Sequence, residues 1–295
     1  MAFTIIVTNA KGGVGKTTIS TNISHILALG GKKILHIDLD PQGSGTTLFT
    51  PYDQYGNPLS VDDIIAVDCF RSLFEPVNMK DFIFRTQYEN VDVVPNAQSV
   101  HEIYSQGTMD VRFFMSEHPD KFNLLRNNIE QIKEDYDFII IDGQPSMNIS
   151  TKCGIMASDA VLTPAFPDIH NLKTIDDTCN MIDMCSMESG REIQYLGFFL
   201  NNVKDVKDKD YLELRDYYLR EAAEYFVDIP IRWSGSIDKA SSSLTLWLDY
   251  ALNYTINFLN PCKDLLKLLY HEFGLIDEEC KENLINLGVK PKFFD

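Results

Sequence analysis

The sequence contains no apolar run approaching the length needed to cross a bilayer, which excludes a transmembrane helix. No secretory leader is legible: Phe3 to Val7 is apolar but short, no basic segment precedes it, and polar and glycine residues follow. The six cysteines make no C-x-x-C pair, so they read as reduced thiols filling a core and not as a zinc ribbon. Positive charge is scarce, with 26 Lys and Arg against 43 Asp and Glu and a formal net charge of −17. So acidic a chain repels nucleic acid and anionic membranes unless its cations are gathered locally. Internal repeats, low-complexity tracts and linkers are missing too. What is there, 295 residues with 44% hydrophobic and 23% charged content, is a globular composition. It suits one large α/β domain over 1–295, with an elaborated region near 50–125.

The chain opens as a strand: Phe3 to Thr8 is apolar and β-branched, as in a strand buried on both faces. Ile19, Ile23, Ile26 and Leu27 fall at helical spacing and predict a helix over Thr17 to Leu29, stopped by Gly30 and Gly31. Lys33 to Leu39 predicts a second strand, and this strand–loop–helix–strand unit begins a parallel sheet. Ser60 to Ala66 reads as a short helix capped by Ser60, Val91 to Val94 as a strand ended by Pro95, and Asp120 to Glu134 as a helix. Tyr136 to Asp142 is a strongly buried strand, and Ala160 to Thr163 and Tyr195 to Leu200 are further strands with a helix near Leu172 to Met184 between them. Asp210 to Tyr225 predicts an amphipathic helix, and a last helix is capped by Asn260, with Pro261 in its first turn and Gly274 past its end. Strands alternating with helices mean a doubly wound, mostly parallel α/β sheet.

Between the first strand and first helix stands Lys11-Gly12-Gly13-Val14-Gly15-Lys16-Thr17-Thr18. Glycines there let backbone N–H groups converge on phosphate oxygens, and the helix N-terminus adds a favourable dipole. Lys16 is placed to reach β and γ phosphates, and the Thr17 hydroxyl to ligate Mg²⁺. The common pattern G-x-x-x-x-G-K-[ST] has Ala10 where its first glycine belongs. Asp38 and Asp40 lie two apart at a strand end, so both side chains leave the same face at the sheet's carboxyl end, where ligands of open α/β sheets bind. A carboxylate there orients water toward a γ-phosphate or holds a metal's water shell. Asp142 ends the most hydrophobic strand, where an ionised carboxylate is expensive without a cation such as hydrated Mg²⁺. His36, on the same strand face as Asp38, reads as a satisfied core histidine.

These residues carry a family resemblance. KGGVGKTT, with a lysine just inside the loop, resembles the deviant Walker A box of the ParA/MinD ATPases. Ile34 to Thr46, ILHIDLDPQGSGT, is similar to that family's D-x-D-P-Q-G segment, and Tyr136 to Ser146, YDFIIIDGQPS, to its Walker B strand, with Gln144 where a proline is usual. Val91 to Gln98 and Leu162 to Asp168 resemble later segments in the same order. The D-P-Q-G wording and the lack of a basic amphipathic helix in the final residues favour a short ParA type, without an N-terminal helix-turn-helix domain, over MinD.

The resemblance implies a P-loop ATPase fold, with ATP and Mg²⁺ as cofactors. It makes Lys11 a lysine that crosses to the partner subunit's nucleotide, Asp40 the residue that activates water, Asp38 a supporting group on the metal side, and Thr17 and Asp142 metal-facing. By analogy Asn201 or Asn202, and Pro230, meet the adenine, Asn202 being the choice of the pair. It further implies an ATP-dependent sandwich homodimer that binds nucleoid DNA non-specifically in the cytoplasm, without a membrane. A ParB-like or small basic DNA-binding adaptor would stimulate hydrolysis, and the cargo would be plasmid or chromosomal DNA. The alternatives are a ParA-like ATPase positioning a protein cargo, a MinD-like relative, a relative of the nitrogenase iron protein, which Cys153 alone supports, and a scaffold without turnover. For DNA, the candidate cations are Arg215, Arg220, Arg232, Lys239, and Lys263 with Lys267 on one helix face. The Lys204–Asp210 stretch interleaves both signs and makes a poor patch.

Overall fold

The structure is a computed structural model, and it describes residues 1–40, 42–67, 71–72, 75–97, 122–146, 149–235, 245–253 and 260–294. Five strands lead the core. β1 (Phe3–Val7), β2 (Ile34–Asp38), β4 (Val91–Val94), β5 (Phe138–Asp142) and β6 (Ala160–Ala165) are almost wholly buried, which is why they read as continuous apolar runs. β7 (Gln194–Val203), β8 (Ile231–Arg232) and the two-residue β3 (Phe84–Arg85) complete the sheet. The order among the described residues is β3-β4-β2-β5-β1-β6-β7-β8, parallel except for β3, which runs antiparallel to β4 at the edge.

Helices cover both faces. α1 (Lys16–Leu29), α2 (Ser44–Leu48), α3 (Val61–Val67), α4 (Leu124–Glu130), α5 (Ile149–Ala157), α6 (Asn171–Ser189), α7 (Lys209–Glu221), α8 (Trp247–Asn253), α9 (Asn260–Lys267) and α10 (Glu278–Asn286) follow the strands in chain order. Strand residues alternate between two cores, as the pleat requires. Ile5, Val7 and Ile140 face the α1 layer, which also takes in α9 and α10, whereas Ile6, Ile139 and Ile141 face the α4–α5 layer. Neither α5 nor α10 is legible beforehand, and Asn260 does not open the last helix: α9 runs through a π turn at Leu268–Glu272, and α10 follows. The helix expected over Asp120 to Glu134 is confined to Leu124–Glu130 among the described residues. That expected over Asp210 to Tyr225 starts earlier, at Lys209, because Asp208 accepts the Asp210 and Tyr211 N–H groups as its cap, and it ends at Glu221.

The strand order sets the site. β5 lies between β1 and β2, so three carboxyl ends come together, with Val7 in register with Asp142 and Asp142 in register with Asp38. The chain leaves β1 toward β2 on one side and leaves β5 toward β6 on the other, and ligands of open sheets bind at such a reversal.

Candidate functional site

The loop between β1 and α1 is held from two directions. The Asn9 side chain donates to the Pro164 carbonyl (2.8 Å) and accepts the Lys11 N–H (2.8 Å), tying the loop to the end of β6. The Asn201 amide donates to the Val14 carbonyl (2.9 Å) from β7. Gly15 has φ of 93°, a left-handed conformation, and a Cβ there would press into the Asn201 amide, so only glycine fits. The loop thus presents its N–H groups from a fixed backbone.

Lys16 is 6% exposed and donates to the Lys11 carbonyl (3.1 Å). Burial lowers its pKa, while Asp142 and Asp40 oppose the shift. Gly12, Gly13, Lys16, Thr17, Asp40 and Pro145 line a hollow of about 490 Å³, closed on another side by Thr245, Leu246 and Trp247. Gly15, Thr18 and Asn22 also line it, so the structure brings the phosphate loop and Asp40 to one cleft.

Asp38 and Asp142 are both buried, at 1% and 0% exposed, yet differ in their partners. Asp38 accepts three hydrogen bonds: from the Asp40 N–H (3.1 Å) at one oxygen, and from the Thr46 N–H (2.8 Å) and hydroxyl (2.9 Å) at the other. It therefore caps the first turn of α2 from a distance and sets the turn that carries Asp40. Gly43 lets that turn close, with φ of 62° and the Asn96 carbonyl 2.6 Å from where a Cβ would stand. Neither Asp142 oxygen has a hydrogen-bond partner among the described residues, although the Thr17 and Ser20 hydroxyls favour its ionised form. Burial pushes the Asp38 carboxyl up to about 7 against the Thr46 hydrogen bonds. Burial, with Asp38 next, pushes Asp142 well above the ordinary carboxylate range. An orphaned buried carboxylate beside a second one and the Thr17 hydroxyl is a donor set for a hard divalent cation. No cluster of three His, Cys, Asp or Glu side chains exists among the described residues to cage an ion alone, so the arrangement fits an ion that also takes phosphate and water oxygens.

Lys11 is not among the residues lining the cleft. Its ammonium sits 2.5 Å from Asp168 in the loop after β6, with both side chains about one-third exposed. The Asp168 carbonyl accepts the hydroxyl of the buried Tyr218 of α7 (2.5 Å), and its carboxylate accepts the His170 N–H (3.0 Å). Lys11 holds Asp168 below the usual carboxylate range.

The remaining sequence candidates divide. Asn202, with φ of 64°, lines a second hollow of about 1010 Å³ between the loop at Phe166 to Ile169 and α7, which no residue of the phosphate loop lines. Pro230 precedes β8, half-buried, and lines neither hollow. Arg215 is locked bidentately on Asp228, and Arg232 on Asp264, so neither carries an uncompensated charge. Arg220 lines the larger hollow, and Lys263 and Lys267 lie one turn apart on α9. Lys239 lies outside the described residues. Gln144 is buried at 3% exposure at the end of β5. His36 is a core histidine but only half satisfied: its Nδ1 shares a hydrogen bond with the Ser24 hydroxyl (3.0 Å), its Nε2 is buried without a hydrogen-bond partner among the described residues, and burial lowers its pKa to about 3. Cys153 is enclosed in the α4–α5 core and burial pushes its thiol up to about 12, which suits no surface cluster.

Sequence reasoning missed Asn9, Thr46 and Asn96. The signal for Asn9 was available in a lone asparagine one residue past an apolar strand. Those for Thr46 and Asn96 were not, because both act through the Asp38 turn.

The chain matches the family model described as AAA domain over residues 2–195. It is 30% identical over 201 residues to the sporulation initiation inhibitor protein Soj of Bacillus subtilis, covering 66% of this chain and 71% of that protein. Among solved structures it resembles McdA of Cyanothece in complex with ATP, with a TM-score of 0.71, 17% identity and coverage of 92% and 96% of the two chains. It also resembles a putative plasmid partition protein of Borrelia burgdorferi B31 bound to AMPPNP, with a TM-score of 0.68, 19% identity and coverage of 92% and 99%. With a phosphate loop opening on paired strand-end aspartates, the chain belongs to the AAA domain family and, within it, to the ParA-type ATPases of the deviant Walker A group.

Proposed function

We propose that this ATPase is a Mg²⁺-dependent switch: ATP closes a homodimer, the dimer binds DNA without sequence preference, and a partner protein triggers hydrolysis to move DNA cargo. The observation that carries the reading is the separation of the two loop lysines. Lys16 lies buried in the cleft, whereas the Lys11 ammonium turns to Asp168 outside it and remains about one-third exposed. A cation not spent on its own nucleotide is free to serve a partner's, where it offsets charge that builds up in phosphoryl transfer. Leaving Asp168 costs little, since a partly exposed ion pair is worth about 0–1 kcal/mol.

Within a protomer, the loop N–H groups and Lys16 bind phosphates, and Asp40, carried on the turn that Asp38 anchors, positions the attacking water. Thr17 and Asp142 are the residues that would hold Mg²⁺, with Asp38 as a supporting carboxylate beside them. The ion supplies charge neutralisation at the phosphate oxygens. Asn201 sits against the loop itself, so adenine recognition by Asn202 and Pro230 requires the base to extend past it toward β8.

Size-exclusion chromatography with ATP and Mg²⁺ tests the reading. Asp40→Ala is expected to run as a trapped dimer, Lys16→Ala to stay monomeric without nucleotide, and Lys11→Ala to lose turnover. A monomeric Asp40→Ala protein that has bound ATP refutes the sandwich. The net charge of −17 favours one other reading, a protein cargo: an intact ATP dimer that ignores DNA at low salt would select it.

A further inference from the structure

Most of what α1 presents to α8 is apolar: Ile19, Ile23 and Ile26 share a core with Leu246, Trp247 and Leu248. Asn22 and His25, both buried and one turn apart on α1, are polar where that face meets α8. Apolar side chains of similar size would fill the same space, so filling space does not explain them. Asn22 uses both halves of its amide. Its Nδ2 donates to the Thr18 carbonyl (2.7 Å) one turn back, and its Oδ1 accepts the Trp247 N–H (2.8 Å) at the start of α8. Reversing the amide would set donor against donor and acceptor against acceptor, so it has one orientation. Thr18, Asn22 and Trp247 all line the phosphate cleft. A single side chain thus ties the cleft's α8 wall to the helix that begins at its phosphate loop.

His25 holds the same helix further along. Its Nε2 lies 3.3 Å from an Asp249 carboxylate oxygen, and neither ring nitrogen completes a hydrogen bond with another described residue. Burying an imidazole in that way is costly, and the Asp249 carboxylate is the electrostatic partner that offsets it. Tyr88, in the loop before β4, packs edge-on against His25, with 4.7 Å between ring centroids, and against Phe49 at 5.8 Å. Burial first, and then Asp249, push the Tyr88 phenol above its ordinary range, so the carboxylate faces both rings. Next to it, the Gln87 side chain donates to the carbonyl of Leu48 (2.7 Å), and Leu48 lines the cleft from α2. The α2 wall and the α8 wall therefore meet, through Tyr88, at His25.

We propose that Asn22 and His25 are positioning residues for ATP binding: they lock α8 in one register on α1 and so set where Leu246 and Trp247 wall the cleft. The inference rests on the cleft being the ATP site. The apolar face alone lets α8 slide, because isoleucine packs against leucine nearly as well a fraction of a turn away. A buried amide and a buried imidazole each meet their partner in one register only, as a buried asparagine fixes register in a coiled coil. The wall carries none of Lys11, Lys16 or Asp40. Moving it therefore weakens the grip on ATP and leaves the bond-breaking step nearly as it was.

Steady-state phosphate release, with KM for ATP read separately from kcat, tests the role. His25→Phe keeps a ring against Tyr88 and removes the nitrogen that faces Asp249. It is expected to raise KM about fivefold to tenfold while kcat stays within about twofold. Asp249→Ala, on the partly exposed side of the contact, is expected to match it, and the double variant to raise KM no further than either single change, since both remove one contact. His25→Gln, which can still donate to Asp249, is expected to bring KM back toward the parent value, and Asn22→Leu to raise KM as His25→Phe does. Ile129→Val, in the core on the sheet's other face, lowers the melting temperature and is expected to leave KM unchanged. An unchanged KM in His25→Phe or Asp249→Ala, a double variant whose effects add, or an Ile129→Val protein whose KM rises as much overturns the positioning role. A Lys16→Ala protein that binds ATP as tightly as its parent overturns the reading of the cleft instead.

Discussion

Thr46 connects the aspartate turn to the end of β4, and the direction of its hydrogen bonds is forced. The Asn96 N–H donates into the Thr46 hydroxyl oxygen (2.8 Å), so the hydroxyl proton must point at Asp38 (2.9 Å). Thr46→Val keeps the shape and the backbone N–H but removes both bonds. Asp38 loses a hydrogen bond to a charged group, worth about 1.5–3 kcal/mol, and the buried Asn96 N–H is left without an acceptor, at about 1–3 kcal/mol. The expected loss of folding stability is about 3–5 kcal/mol. Thr46→Ser keeps both bonds and loses one methyl group, about 0.8 kcal/mol. Because the Asp40 N–H rests on Asp38 (3.1 Å), loosening the turn displaces Asp40 as well. In steady-state assays the valine variant is expected to lose at least about tenfold in kcat, equivalent to about 1.4 kcal/mol of barrier, with KM for ATP changing far less. Urea melts of the ATP-free proteins give the first quantity, and phosphate release at saturating ATP gives the second. A valine variant as stable and as active as the serine variant refutes the relay.

Two further outcomes follow from the same cleft. Asp38 and Asp142 hold their protons more tightly folded than unfolded, so the stability linked to them is fully present below the unfolded carboxylate range near 3.8 and is lost as pH rises through the raised folded values, about 7 for Asp38. The ATP-free protein is therefore expected to melt lower at pH 8 than at pH 6, and Asp142→Asn to melt higher than wild type at pH 8 but to gain less from Mg²⁺-ATP; differential scanning fluorimetry reads both, and an unstabilised Asp142→Asn protein refutes the unpaired charge. Trp247 lines the cleft and the chain has two tryptophans, so Trp233→Phe leaves Trp247 as the sole indole, and its emission is expected to shift on adding ATP but not AMP; constant emission at saturating ATP refutes its place at the nucleotide.

The phosphate loop and the parallel sheet were legible because they rest on local chemistry: glycines where the backbone turns left-handed, a Lys-Thr pair opening a helix, and apolar runs too continuous for a one-faced sheet. α5 was hidden because it is buried almost all round and so shows no apolar stripe. Its Gly154 leaves room for β1, with the Ile6 side chain 2.7 Å from where a Cβ would stand. The choice between Asn201 and Asn202 turned on which of two adjacent residues faces the loop, and β7 has an irregular register against β8 at that point. Arg215 read as a free cation because Asp228, which holds it, comes 13 residues later across a turn. Partners of that kind are set by tertiary packing, which no window of sequence contains.

The helix that carries the phosphate loop is finished by the far end of the chain. Asn22 accepts the N–H of Trp247, 225 residues away, and Asn283 donates to the carbonyl of Gly30 across 253 residues. Ile19, Ile23 and Ile26 share a core with Leu246, Leu265, Cys280 and Phe293. During synthesis, then, the first βαβ unit emerges with the outer wall of its helix still unmade, and that wall arrives only with Leu246 and the residues after it, at about 5–20 residues per second. The phosphate-loop helix is translated some 225 residues ahead of the Trp247 that braces it. A premature stop anywhere in α9 or α10 removes part of the wall packed on α1, although no residue of those helices lines the cleft.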